Sequence, residues 1–140
     1  MDRSSTVSHK LALHLLSSEG DVLPLTAELH YSADDPIAVK ACFDDGSPEP
    51  VRWVFARELL AEGMKELNGD GDVVIWPTID TDGQAAVQLR LSSPHGDALL
   101  EASASEVEEF LAATWRLVPP GTEHRHIDVD DVITALLGDF

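Results

Sequence analysis

Leu23-Pro24-Leu25-Thr26-Ala27-Glu28-Leu29-His30-Tyr31 decides the fold class. Leu23, Leu25, Ala27, Leu29 and Tyr31 alternate with Thr26, Glu28 and His30. A period of two puts each set on one face of a pleated strand, so the segment reads as a half-buried antiparallel strand. Upstream, Val7, Leu11, Leu13 and Leu15 alternate with Ser8, Lys10 and His14, and His9 is the polar residue in the apolar phase. Downstream, Ile37, Val39, Ala41 and Phe43 continue the pattern. Gly20-Asp21 and Asp34-Asp35-Pro36 supply turn chemistry between these strands. Pro24 falls at the start of its strand, where a missing N–H is tolerated.

Beyond a loop at 44–50, Val51, Trp53 and Phe55 share the apolar phase of a short strand. The period then changes. Leu59, Leu60, Met64 and Leu67 fall on one side of a helix over 56–67, with Glu58, Glu62, Lys65 and Glu66 towards solvent. Gly63 weakens that helix by about 1 kcal/mol relative to Ala, which points to a close packing contact at this position. Residues 73–76, 85–92 and 98–103 read as further strands, with Trp76 at a strand end before Pro77. Ser105-Glu106-Val107-Glu108 has the form of a capping box. The helix it opens carries Val107, Phe110, Leu111, Thr114 and Val118 at helical spacing and stops at Pro119-Pro120-Gly121. Asp128 caps a last helix bearing Val129, Val132, Ile133 and Leu136. The order lacks βαβ alternation, so the class is α+β: mostly antiparallel sheet with about three helices. It forms one domain over 1–140, with a flexible N-terminus at 1–6 and a C-terminal extension at 119–140.

At 140 residues, with 44% apolar and 25% charged residues, the chain suits one globular core. Nine Lys+Arg against 26 Asp+Glu give a formal charge of −17. The acids are spread evenly: 9 in 1–50, 8 in 51–100 and 9 in 101–140. Such a surface argues against binding nucleic acid or an anionic membrane, both of which need a cationic face. The single Cys42 cannot form an intramolecular disulfide, which fits a reducing compartment. No signal-peptide pattern or run of about 18 apolar residues is present, so the expected location is the cytoplasm, without direct membrane insertion.

Catalytic motifs are weak. The Asp-Gly runs at 68–72 and 80–83 fail the EF-hand pattern: from Asn68, Val73 takes the Gly position and Ile79 the Glu position. His124, His126 and Asp128 form the densest set of potential metal ligands, but no second cluster completes a coordination sphere. There is no Gly-x-Ser-x-Gly elbow and no phosphate-cradling loop. Cys42 falls on the strand face opposite Val39, Ala41 and Phe43, as a small buried or semi-buried thiol. No catalytic or cofactor-binding residue is assigned. Among the aromatics, Trp53 and Trp115 are in phase with core positions, whereas Trp76, before Pro77, fits a core position and an interface anchor equally.

Several segments carry a resemblance: Leu23 to Tyr31, Asp35-Pro36, Val51-Arg52-Trp53-Val54-Phe55-Ala56-Arg57-Glu58-Leu59-Leu60 and Gly71-Asp72-Val73-Val74-Ile75-Trp76-Pro77. It continues through Ser92-Ser93-Pro94, Leu99-Leu100-Glu101-Ala102 and Val118-Pro119-Pro120-Gly121-Thr122-Glu123. Together they resemble the SsgA-like sporulation and cell-division proteins of mycelial actinobacteria. The ending His124-Arg125-His126-Ile127-Asp128-Val129-Asp130 resembles the SsgB branch. The sequence departs from the family pattern at Ile37, where Tyr is usual, at Asp44, where His is common, and at Glu66-Leu67-Asn68, which replaces a Pro-containing loop.

The resemblance implies a whirly-like domain assembling as a homotrimer and a non-catalytic, sporulation-specific regulator. Such a protein marks septum sites and recruits the tubulin-like GTPase FtsZ, working with an SsgA-type relative at the division septum. Trp76, His124, His126 and Asp128 are the candidate partner-binding residues. Two other readings stand beside it: a single-stranded nucleic-acid module of whirly type, and a metal-dependent hydrolase using His124, His126 and Asp128.

Overall fold

A computed structural model describes residues 5–44, 48–69 and 71–123. The chain runs β1 (Thr6–Leu16), β2 (Val22–Ser32), β3 (Asp35–Asp44), β4 (Val51–Ala56), α1 (Arg57–Gly63), β5 (Val73–Ile79), β6 (Ala85–Ser93), β7 (Gly96–Ser103) and α2 (Ala104–Leu117). Seven antiparallel strands form one sheet in the order β4-β3-β2-β1-β7-β6-β5. β1 pairs with β2 along its whole length but with β7 only over Leu13 to Leu16. It therefore joins two blocks of strands, one on either side.

The alternation read from the sequence governs which face is covered. Leu11 and Leu13, Ala27, Leu29 and Tyr31, Val39, Ala41 and Phe43 are all buried on the face that the helices cover. α2 lays Val107, Phe110, Leu111 and Thr114 onto β1, β6 and β7, and Val118 at its end is fully buried. Burying a side chain such as Phe110 stabilises the fold by about 1.5–3 kcal/mol. α1 contacts β3, β4 and β5, and Gly63 makes the expected close approach. A Cβ placed there would lie 2.6 Å from Ile75 Cβ. The 80–83 run forms a hairpin turn in which Asp80 Oδ1 accepts from the Asp82 and Gln84 N–H groups. Cys42 is half-buried on the strand face opposite Val39, Ala41 and Phe43, as read.

Several sequence expectations are corrected. Ile37 is 50% exposed, because three residues of β3 lie opposite the Tyr31-to-Ser32 step of β2. This bulge turns Pro36 inward instead, where its carbonyl accepts from the Tyr31 hydroxyl at 2.8 Å. Leu23 and Val51 keep their phase yet are exposed: Leu23 lies beyond the end of the β2–β3 pairing and Val51 is on the edge strand β4. Trp76 and Pro77 lie inside β5 rather than at its end, tolerated because β5 is the other sheet edge. α1 stops at Gly63, leaving Leu67 65% exposed.

The capping box does not form either. β7 runs into α2 without a loop, so the helix starts at Ala104 with Ser103 at the N-cap position and no side-chain cap. The Ser103 and Ser105 hydroxyls bond each other at 2.9 Å. The described residues contain two helices, and the third expected helix, from Asp128, lies outside them. No described helix is long and apolar enough to cross a membrane.

Candidate partner-binding surfaces

Trp76 sits on the sheet face turned away from the helices. Strand pairing aligns Trp76, Gln88, Glu101 and His14 in one row across β5, β6, β7 and β1. The Trp76 indole N–H donates to Gln88 Oε1 at 3.1 Å, and Gln88 Nε2 donates to Glu101 Oε2 at 2.9 Å. This chain fixes the indole half-exposed beside a recess of about 510 Å³ that Leu67, Val74, Pro77 and Arg90 also line. A rigid, half-buried Trp beside exposed Leu67 has the chemistry of an interface anchor. His124, His126 and Asp128 lie outside the described residues. Among the described residues, no three His, Cys, Asp or Glu side chains are grouped to hold a metal ion.

The sequence reading missed a second centre. Arg57, the first residue of α1, is 1% exposed. Its guanidinium lies between the Tyr31 ring, 4.7 Å from Cζ to centroid, and the Trp115 ring, at 4.1 Å. It donates to the Thr114 carbonyl at 3.2 Å, the Val118 carbonyl at 2.7 Å and Glu123 Oε2 at 2.9 Å. Only its Nε is left without a partner. The Thr114 carbonyl also accepts from the Val118 N–H at 2.8 Å, whereas the Val118 carbonyl lies past the last turn of α2, so Arg57 serves as a C-terminal cap supplied from another element.

Thr122 accompanies this contact. Its hydroxyl and N–H both donate to the Pro119 carbonyl, a turn that swings Glu123 back onto Arg57. Glu123 is held below the ordinary carboxylate value of 4.5 by its own backbone N–H and then by the Arg57 hydrogen bond. Burial pushes the Tyr31 hydroxyl above 10.0, opposed by Arg57. The sequence signals were an Arg two residues after Phe55, in the phase of Trp53 and Phe55, and a Glu after Pro-Pro-Gly-Thr; neither says that the two meet.

Outside the Arg57 centre, α1 and α2 bound a groove of about 770 Å³. Ala61 from α1, Met64 just past its end, and Leu111, Ala112 and Trp115 from α2 supply its apolar surface. Glu58, Glu62, Glu108 and Glu123 also line it, with Lys65 as the one lining cation. The spacing explains this arrangement: 108, 111, 112 and 115 form one helical stripe of α2, and 58, 61 and 62 one stripe of α1, with Lys65 in the turn that follows it. Ala at 61 and 112 keeps the groove open.

Comparison with known proteins shows the family of the chain. The family model described as the Streptomyces sporulation and cell division protein SsgA matches residues 25–123, which run from within β2 through α2 and include Arg57 and Glu123. This chain belongs to the SsgA family. It is similar to the sporulation-specific cell division protein SsgB of Streptomyces coelicolor, 49% identical over 136 residues that cover 97% of this chain and 98% of that protein. A solved SsgA-like sporulation-specific cell division protein from Thermobifida fusca has a TM-score of 0.84 at 42% identity, covering 98% of this chain and all of that one (100%).

Another solved chain comes from work relating SsgB mutations to longitudinal cell division during sporulation of Streptomyces coelicolor. It has a TM-score of 0.83 at 53% identity, covering 86% of this chain and 94% of that one. The relatives are named as cell-division proteins, not enzymes. Two segments that carry the SsgA-like resemblance, 51–60 and 118–123, are far apart in sequence and converge on Arg57.

Proposed function

We propose that this SsgA-family protein is a non-catalytic regulator of sporulation septation that marks septum sites and recruits FtsZ by protein–protein contact. On this reading it works as a homotrimer with an SsgA-type relative at the septum. The observation that carries the proposal is the similarity to the sporulation-specific SsgB of Streptomyces coelicolor over 97% of this chain. The surface chemistry supports it. Trp76 beside exposed Leu67, and the groove between the two helices, are apolar surfaces framed by charge, as protein-recognition sites are.

Imaging a fluorescent fusion together with FtsZ in sporulating hyphae tests the recruitment. The protein is expected at regularly spaced sites before FtsZ ladders form. Foci that appear only after FtsZ, or that vanish when FtsZ is depleted, would contradict recruitment by this protein.

A further inference from the structure

We infer that the α1–α2 groove is a docking site for an amphipathic, Lys/Arg-bearing segment of a partner protein. Charge complementarity selects that occupant. Glu58, Glu62 and Glu108 line the groove and form no ion pair among the described residues, whereas Glu123 is already held by Arg57. Lys65 is the one lining cation. The carboxylates are too dispersed to converge on a point ion, since no three acidic or His side chains among the described residues could hold a metal. Dispersed acids beside an apolar strip match an extended cationic ligand, such as a helix with Leu-like side chains on one face and Lys or Arg flanking them.

The apolar lining consists of Ala61, Met64, Leu111, Ala112 and Trp115, in which the two Ala side chains take the least space. Trp115 is fixed from behind by the Arg57 guanidinium, so its ring is a preorganised contact. The chain's own residues 124–140 begin next to Glu123 but carry Asp128, Asp130, Asp131 and Asp139 against one Arg, the wrong sign for this groove. The inference does not require the partner to be FtsZ.

The test uses the full chain and a fluorescein-labelled amphipathic Lys/Leu peptide, with binding read by anisotropy at ~0.15 M ionic strength. Glu62→Lys with Glu108→Lys is expected to weaken binding about tenfold or more. Ala112→Gln, which fills the groove without changing its charge, is expected to weaken it comparably. Glu19→Lys with Asp82→Lys makes the same change in net charge on distant exposed turns and is expected to leave binding within about twofold of wild type once long-range attraction is screened. Equal losses in the two charge-reversed pairs, or no loss in Ala112→Gln, would overturn the proposal. So would failure of the wild-type chain to bind the peptide, including because residues 124–140 or a second copy fill the groove.

Discussion

Arg57 shows how one residue can join segments that composition alone treats as unrelated. Counted by charge, it is one of nine dispersed cations; folded, it is buried between two rings and donates to three acceptors. Arg57→Ala leaves the Val118 carbonyl unpaired and opens a void between Tyr31 and Trp115. The expected loss is about 3–5 kcal/mol of unfolding free energy in urea. Arg57→Lys keeps the charge but cannot reach three acceptors from one ammonium, so about 1–3 kcal/mol should be lost. Equal losses in the two variants would show that the guanidinium fork contributes nothing.

The Glu123 pairing has a pH signature. Its folded value is depressed, so its stabilisation is fully present above the unfolded value of 4.5 and is lost as pH falls through the lower folded value. Glu123→Gln should therefore be less stable than wild type at pH 7, and the gap should close on acidification. A gap that stays constant through the carboxylate range would show that the Gln variant loses something other than charge pairing.

At the scale of elements, the alternation in β1 to β3 was legible because strand period and burial coincide along most of the face that the helices cover. It failed at two places. Leu23 overhangs the β2–β3 pairing, and Ile37 lies in a bulge that periodicity cannot register. The helix boundaries moved for a similar reason: direct continuation of β7 into α2 overrode the Ser105 capping pattern. Gly63 was read correctly, and it makes a prediction against propensity. A helical Gly→Ala change normally stabilises by about 1 kcal/mol. Here the added methyl meets the stiff Ile75 side chain, so Gly63→Ala should destabilise by about 1–3 kcal/mol in thermal or urea unfolding. A stabilised Gly63→Ala would show that α1 can slide off β5 without cost.

Across the whole molecule, the acidic balance hides a sorting of charge that the sequence could not show. Setting aside Arg3 and Arg125 leaves seven of the nine cations, and Lys10, Lys40, Arg52 and Arg90 share the sheet face that carries Trp76. Glu28 and Glu101 lie among them, with His30 bonded to Glu28 at 2.7 Å, so the face is a mixed-charge surface rather than a phosphate track. The helix side has the opposite character, an apolar groove lined by acids. Two faces of different chemistry suit a protein that joins partners, as the proposed recruiting role requires.

That role is tested most directly by co-sedimenting the purified full chain with GTP-assembled FtsZ from the same organism at two salt concentrations, with its mass measured by light scattering. The account predicts a particle of three chains that is enriched in the polymer pellet. It also predicts that Trp76→Ala loses enrichment while its circular dichroism is unchanged. A folded oligomer that stays in the supernatant at both salt concentrations would contradict direct recruitment of FtsZ.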